Sequence, residues 1–225
     1  MEKLSIKNIV EFRHKSDKSK KSFVMRLKLD KLKSDSEGGG DYWISCWSAI
    51  SKSFRLNNLE SIIERRDELI ERNEETESKR IKIMYKRNID ILYNYEDFDL
   101  KKWRPSKDMK FLRKEKADSI LTIKGLLVQV TPHHVFTIQK NGVEEIGAIW
   151  FIAKLNGFKK DELGMFADIL YRYLKINFSK DYILNPKYCI AVDVFNNFEV
   201  NYSQLEKEAL PKILNTTLDE IKKLM

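Results

Sequence analysis

Between Ile120 and Phe195, strand-like and helix-like patterns follow one another with clear punctuation, and no other stretch constrains the fold as tightly. SILTIKGLLVQV, rich in β-branched and aliphatic residues, reads as a strand that Pro132 breaks. HVFTIQ resumes as a second strand and runs to Asn141-Gly142, the dipeptide that best tolerates the positive φ angles of a two-residue hairpin turn. IGAIWFIAKL then returns antiparallel as a third. In DELGMFADILYRYL, Leu163, Phe166, Ile169, Leu170, Tyr173 and Leu174 recur at spacings of three and four, which is one apolar face of a helix. After Pro186, KYCIAVDVF has the short apolar run of a strand covered on both sides. A mixed sheet with a helix packed across it buries all these faces, so the expected class is α+β with a β-β-β-α-β core.

Upstream, the pattern is helical. Leu4, Ile6, Ile9, Val10 and Phe12 have helical spacing with Ser5 placed to cap them, while FVMRLKL fits a helix or an alternating strand. HKSDKSKKS between them has no apolar residue and reads as a mobile basic turn. SDSEGGGD, residues 34–41, is the clearest linker, because three successive glycines are entropically costly inside a helix or strand; Asp41 is placed to cap the helix that follows. Trp43, Cys46, Trp47, Ile50 and Phe54 share one helical face, a core stripe by its spacing. Leu59, Ile62, Ile63, Leu69 and Ile70 make a second stripe, and Ile81, Met84, Ile91, Leu92 and Tyr95 a third. The polar ERNEETESKR between those two is either a solvent-exposed helix spanning two packed ends or the loop of a helical hairpin, and the hairpin is favoured because its stripes then face each other. EDFDLKKWRP ends at Pro105, and a boundary near residue 106 divides a helical region, 1–105, from a sheet domain, 106–225. Asp108 to Ser119 reads as a short charged helix, and the tail as helical around Pro211 with Thr216 or Thr217 capping a last helix.

The formal net charge is +8, and its placement says more than its size. Residues 1–33 hold eleven Lys and Arg against four Asp and Glu, residues 34–118 eighteen against eighteen, and residues 119–225 thirteen against twelve. The excess therefore sits in the first 33 residues, with Arg13, Lys15, Lys18, Lys20, Lys21 and Arg26 at its centre. A local basic stretch attracts polyanions by counterion release, and nucleic acid, DNA or RNA, is the commonest such partner. A hydrophobic content of 42% excludes general disorder. Cys46 and Cys189 lie far apart in apolar segments, which supports neither a disulfide framework nor a CxxC metal site. MEKLSIKNIV has no apolar leader core, and no window approaches about 18 consecutive apolar residues, so a soluble cytoplasmic protein without a membrane partner is expected.

The order helix, three strands, helix, strand over residues 108–195 resembles the core of the PD-(D/E)XK nuclease superfamily. In that family the second and third strands carry an Asp and then an acidic-x-Lys element. The carboxylates hold Mg²⁺ against the scissile phosphate, and the Lys orients or deprotonates the attacking water. Here Lys154 ends the third strand, but Ile152 stands two residues before it, and His133 and His134 occupy the place of the strand-two Asp. Glu144 and Glu145 lie upstream at the hairpin, and Glu115 or Asp118 stands where a leading-helix acid would serve. The resemblance thus implies a degenerate nuclease-like core that keeps a phosphate-binding shape. A displaced site would use Glu145, Lys154 and Asp168 or Asp193 with Mg²⁺ or Mn²⁺; otherwise no cofactor is expected.

Bland roles stand beside the chemical ones. Asp168 has Arg172 one turn along the same helix face, and Asp193, interrupting an apolar strand, needs a partner if buried. His133 and His134, adjacent on a strand, point to opposite faces, and the remaining histidine is His14 in the basic arm, so a shared zinc lacks ligands. The leading expectation is a nucleic-acid-associated protein, non-catalytic or a subunit of a DNA-processing or defence assembly, gripping the phosphate backbone through its basic arm. Two alternatives stand beside it. One is a metal-dependent nuclease with displaced carboxylates; the other is an interaction module using helices from Tyr42 to Tyr95 to hold a protein partner or a second copy.

Overall fold

The computed structural model describes residues 3–28, 42–112 and 118–225. The chain folds as an α+β protein around a five-stranded mixed sheet, in the order β2 (Lys110–Phe111), β5 (His134–Lys140), β6 (Val143–Ile152), β7 (Ile183–Asp193), β8 (Phe198–Asn201). β2, β5 and β6 are antiparallel neighbours; β7 runs parallel to β6 after the crossover helix α6 (Lys160–Phe178), and β8 returns antiparallel. Alternation along the strands loads both faces. On β6, Ile146, Ala148 and Ile152 enter one apolar cluster, whereas Ile149 and Phe151 enter the other; on β7, Cys189 and Ala191 oppose Ile190 and Val192.

The two faces are covered by different helices. One carries α6 with α1 (Ile6–Phe12), α2 (Asp17–Lys28) and α8 (Leu214–Lys223), together with a small sheet of β1 (Leu4–Ser5), β4 (Leu126–Gln129) and β3 (Ile120–Ile123). The other carries α3 (Ile44–Leu56), α4 (Glu60–Glu75) and α5 (Lys79–Tyr93). Residues on both sides of position 106 therefore share each cluster, and Leu4 to Leu27 bury their apolar side chains with α6 and α8 rather than with α3 to α5. α7 (Tyr202–Glu206) packs Leu205 into the first cluster.

Several local expectations hold. Asn141 and Gly142 turn with φ of 51° and 78°, α6 forms over the stripe of threes and fours, and α4 and α5 make a hairpin. Ser5 caps α1 by accepting from the Asn8 N–H at 3.1 Å.

Others are corrected. SILTIKGLLVQV is not one strand but the hairpin β3–β4, closed by Lys124 and Gly125 at φ of 52° and 81°, and it belongs to the small sheet. The strands preceding α6 in the main sheet are thus β2, β5 and β6. Within 108–119 the described residues give β2 rather than a helix, since Lys110 and Phe111 pair with Thr137 and Phe136. The basic turn shrinks to residues 13–16 because Asp17 begins α2, helped by Ser16 Oγ accepting from the Ser19 N–H. Neither Thr216 nor Thr217 caps α8: both hydroxyls donate back to the Ile213 carbonyl, at 2.9 and 2.8 Å. The linker at 34–41 and Glu115 fall outside the described residues.

Candidate nucleic-acid interface

α2 is amphipathic in the strict sense. Phe23, Val24 and Leu27 are buried, while Lys18, Lys21, Ser22, Met25 and Arg26 share the opposite, exposed arc. The six arm residues divide by what they touch. Lys20 Nζ pairs with Glu220 of α8 at 2.6 Å and lies 5.2 Å from the Phe12 ring. Arg13 donates to Thr217 Oγ1 at 3.2 Å and pairs loosely with Asp161, and the Lys15 ammonium lies 6.0 Å from the Phe23 ring. Lys20 and Arg13 thus fasten the segment to the body, while Lys15 folds back on α2 itself. Lys18, Lys21 and Arg26 have no carboxylate within ion-pair distance among the described residues, and they span about 12 Å along the helix axis.

α8 runs beside α2, tied to it by Lys20–Glu220 and by Lys28 Nζ donating to the Met225 carbonyl. Its last turn exposes Lys222 and Lys223. These two lysines have no role in the basic surface as read from the sequence, although their place at a helix C-terminus is visible there. The carboxylates nearest to hand, Asp219 and Glu220, are taken by Lys124 and Lys20.

Glu162 anchors the same region from below. Its side chain is 2% exposed and meets the His14 ring, and its Oε2 accepts from the Lys159 N–H at 2.9 Å at the start of α6. Burial alone would raise its pKa, but the Lys159 N–H, the His14 ring and the Lys154 charge outweigh that and hold the carboxyl below the usual range. The pairing joins residues 148 positions apart, and no local pattern announces it.

The four residues of the displaced nuclease site do not converge. Glu145 lies seven residues up β6 from Ile152, about 23 Å away, and accepts from Asn185 Nδ2 at 2.6 Å. Asp168 is buried and held bidentate by Arg172 at 2.8 and 3.0 Å, the helix-face pairing expected from the sequence. Lys154 lies past the end of β6, its Nζ 5.2 Å from the Phe158 ring. Asp193, fully buried at the end of β7, accepts from Phe158 N at 2.8 Å, Phe195 N at 3.0 Å and Asn196 Nδ2 at 2.9 Å. Burial pushes its carboxyl above the usual range, against those three donors. The carboxylate thereby latches the loop between β6 and α6. Gly157 belongs to the latch: at φ of 68° an added Cβ would come within 2.4 Å of Asp193 Oδ2 and closer still to Asn196.

The histidines also differ from expectation, because both rings face α3. β5 begins at His134, so the alternation rule does not reach His133. His133 Nδ1 accepts from the Phe151 N–H at 3.1 Å with its ring 4.5 Å from Trp47, and His134 Nε2 lies 3.0 Å from the Ser51 carbonyl oxygen. Among the described residues no group of three or more His, Cys, Asp or Glu is placed to hold a metal ion. A cleft of about 590 Å³, lined by Trp47, Trp150, Phe166, Lys7, Gln129 and Thr131 among others, opens where the chain crosses from the small sheet to the main one. Also among the described residues, no helix is long and apolar enough to cross a membrane. No family model matches the chain, and neither a curated protein nor a solved structure shows significant similarity to it.

Proposed function

We propose that this is a cytoplasmic, non-catalytic nucleic-acid-binding protein, acting as a subunit of a DNA-processing or defence assembly and gripping the phosphate backbone through the solvent face of α2. The observation that carries the reading is the set Lys18, Lys21 and Arg26: exposed, on one arc, and without a carboxylate partner among the described residues. Lys222 and Lys223 extend the same surface. Such contacts fix a protein on a backbone without reading bases, so the expected binding is tolerant of sequence and steep in salt. Glu145, Asp168 and Asp193 are each committed to a partner within the fold, which favours a binder over a displaced hydrolytic site.

Fluorescence anisotropy with labelled duplex DNA, single-stranded DNA and RNA tests this. Lys18→Ala/Lys21→Ala/Arg26→Ala is expected to weaken binding and flatten its salt dependence, with the fold unchanged by circular dichroism. Equal binding by parent and variant on all three probes rejects the interface. Cleavage with Mg²⁺ or Mn²⁺ that Lys154→Ala abolishes would replace the reading with the nuclease one.

A further inference from the structure

The α4–α5 hairpin carries a charge pattern that counting along the chain cancels out. α4 holds seven acids and three arginines, α5 five cations and one acid. At 3.6 residues per turn, Glu60, Glu64, Asp67, Glu71 and Glu74 share the exposed arc of α4 with Ile63, opposite buried Ile62 and Leu69. On α5 the exposed arc holds Lys79, Lys82 and Lys86 around Ile83, opposite buried Asn88 and Leu92. Ile63 and Ile83 are 41% and 52% exposed. The helices are antiparallel, so Lys79 and Lys82 stand level with Glu74 and Glu71. Even so, among the described residues none of these lysines pairs with an acid of α4: Asp67 and Glu68 pair with Arg65, Arg66 and Arg72 of α4 itself, and the one ion pair that leaves α4 runs from Arg66 to Glu96, just past the far end of α5 from the hairpin tip.

We propose that this face is an isologous contact between two copies of the chain, with α4 of each lying on α5 of the other and the hairpin tips at the same end. A two-fold axis parallel to the hairpin superposes unlike helices, so Glu71 and Glu74 of one copy meet Lys82 and Lys79 of the other, and symmetry repeats the match. A foreign partner would need an acidic and a basic stripe side by side in matching order; a second copy has them already. A phosphate backbone approaching α5 meets the acids of α4. Helices of 16 and 15 residues are about 24 and 22 Å long, and a face about 20 Å wide covers about 500 Å² per copy. That lies at the low end for a specific contact, so a dissociation constant in the micromolar range is expected. The contact is independent of the α2 surface and of the nucleic-acid reading.

Sedimentation equilibrium of the full chain from about 5 to about 500 µM at low salt is expected to show the mass rising from one copy towards two. Salt at about 1 M should shift the midpoint to higher protein concentration at least tenfold. Glu71→Lys/Glu74→Lys and Lys79→Glu/Lys82→Glu, all at exposed positions and checked by circular dichroism, are each expected to be monomeric alone and to recover the two-copy mass when mixed in equal amounts. A parent that stays monomeric throughout overturns the proposal, as does a reversed variant that still dimerises. Should reversal at Lys79 and Lys82 weaken binding of labelled DNA while leaving the mass unchanged, α5 is a phosphate-contacting surface and the proposal fails.

Discussion

α2 and α5 carry the same formal charge, five cations and one acid each, yet they present it in opposite settings. Beside α2 runs α8, whose two acids are neutralised by Lys20 and Lys124 and whose own lysines add to the surface. Beside α5 runs α4, with seven acids. The first pair is a positive field; the second is two stripes of opposite sign. A count of cations does not identify what a helix attracts, because the neighbouring helix decides it.

The largest expected effect compares how the two layers are anchored. Phe54 of α3 is fully buried against the Phe111, Phe136 and Phe151 rings, and its replacement by Ala should cost about 4 kcal/mol in denaturant unfolding. Phe23 of α2 is 8% exposed, and its replacement should cost about 2 to 3 kcal/mol. The reverse order would show the arm-bearing layer to be the better anchored. Next in size is the salt response. Three lost phosphate contacts lower the slope of log affinity against log salt by about 2.7, so between about 50 and about 200 mM salt the parent should lose about 40-fold more affinity than the Lys18, Lys21 and Arg26 triple variant.

Acid stability separates the layers further. Glu162 has a depressed folded pKa, so its contribution is present above the unfolded carboxylate pKa and is lost as pH falls through the lower folded value. Glu162→Gln should cost about 2 kcal/mol near neutral pH, with the penalty shrinking in acid as the parent's carboxylate protonates. A constant penalty across pH would show the contact to be packing alone. Asp193 works in the opposite sense: its raised folded pKa makes its share largest at low pH, to be lost as pH rises through that value. The smallest expected effects are on stability at the surface charges. Lys20→Ala should cost under about 1 kcal/mol and leave the salt slope unchanged, because Lys20 already faces Glu220. Reversing Glu71 should change stability by no more than about 0.5 kcal/mol.

What the sequence disclosed follows the range of the forces involved. The Asn141–Gly142 hairpin and the Asp168–Arg172 pair are set by neighbours within four residues and were legible. Lys124–Gly125 forms the same kind of turn, but lysine is not a turn-forming residue, and the apolar run on both sides resembled one strand. The need of Asp193 for a partner was legible from its apolar surroundings. The identity of its Phe158 donor was not, because that N–H comes from 35 residues earlier across a crossover. The division of the arm into fastening and exposed cations depended on Glu220, Thr217 and Phe12, two of which lie at the far end of the chain. Charge counted over 34–118 cancelled to nothing, although the fold places the two signs on separate helices.

The latch at Asp193 reaches further than its own loop. It fixes the entry of α6 through the Phe158 N–H, α6 presents Glu162 four residues later in its first turn, and Glu162 grips His14 where α1 gives way to α2. A carboxylate at one rim of the sheet and the cationic ridge are thus joined by rigid links in series, so slackening the clasp should register as faster amide exchange in a helix whose nearest residue is 165 positions away in sequence.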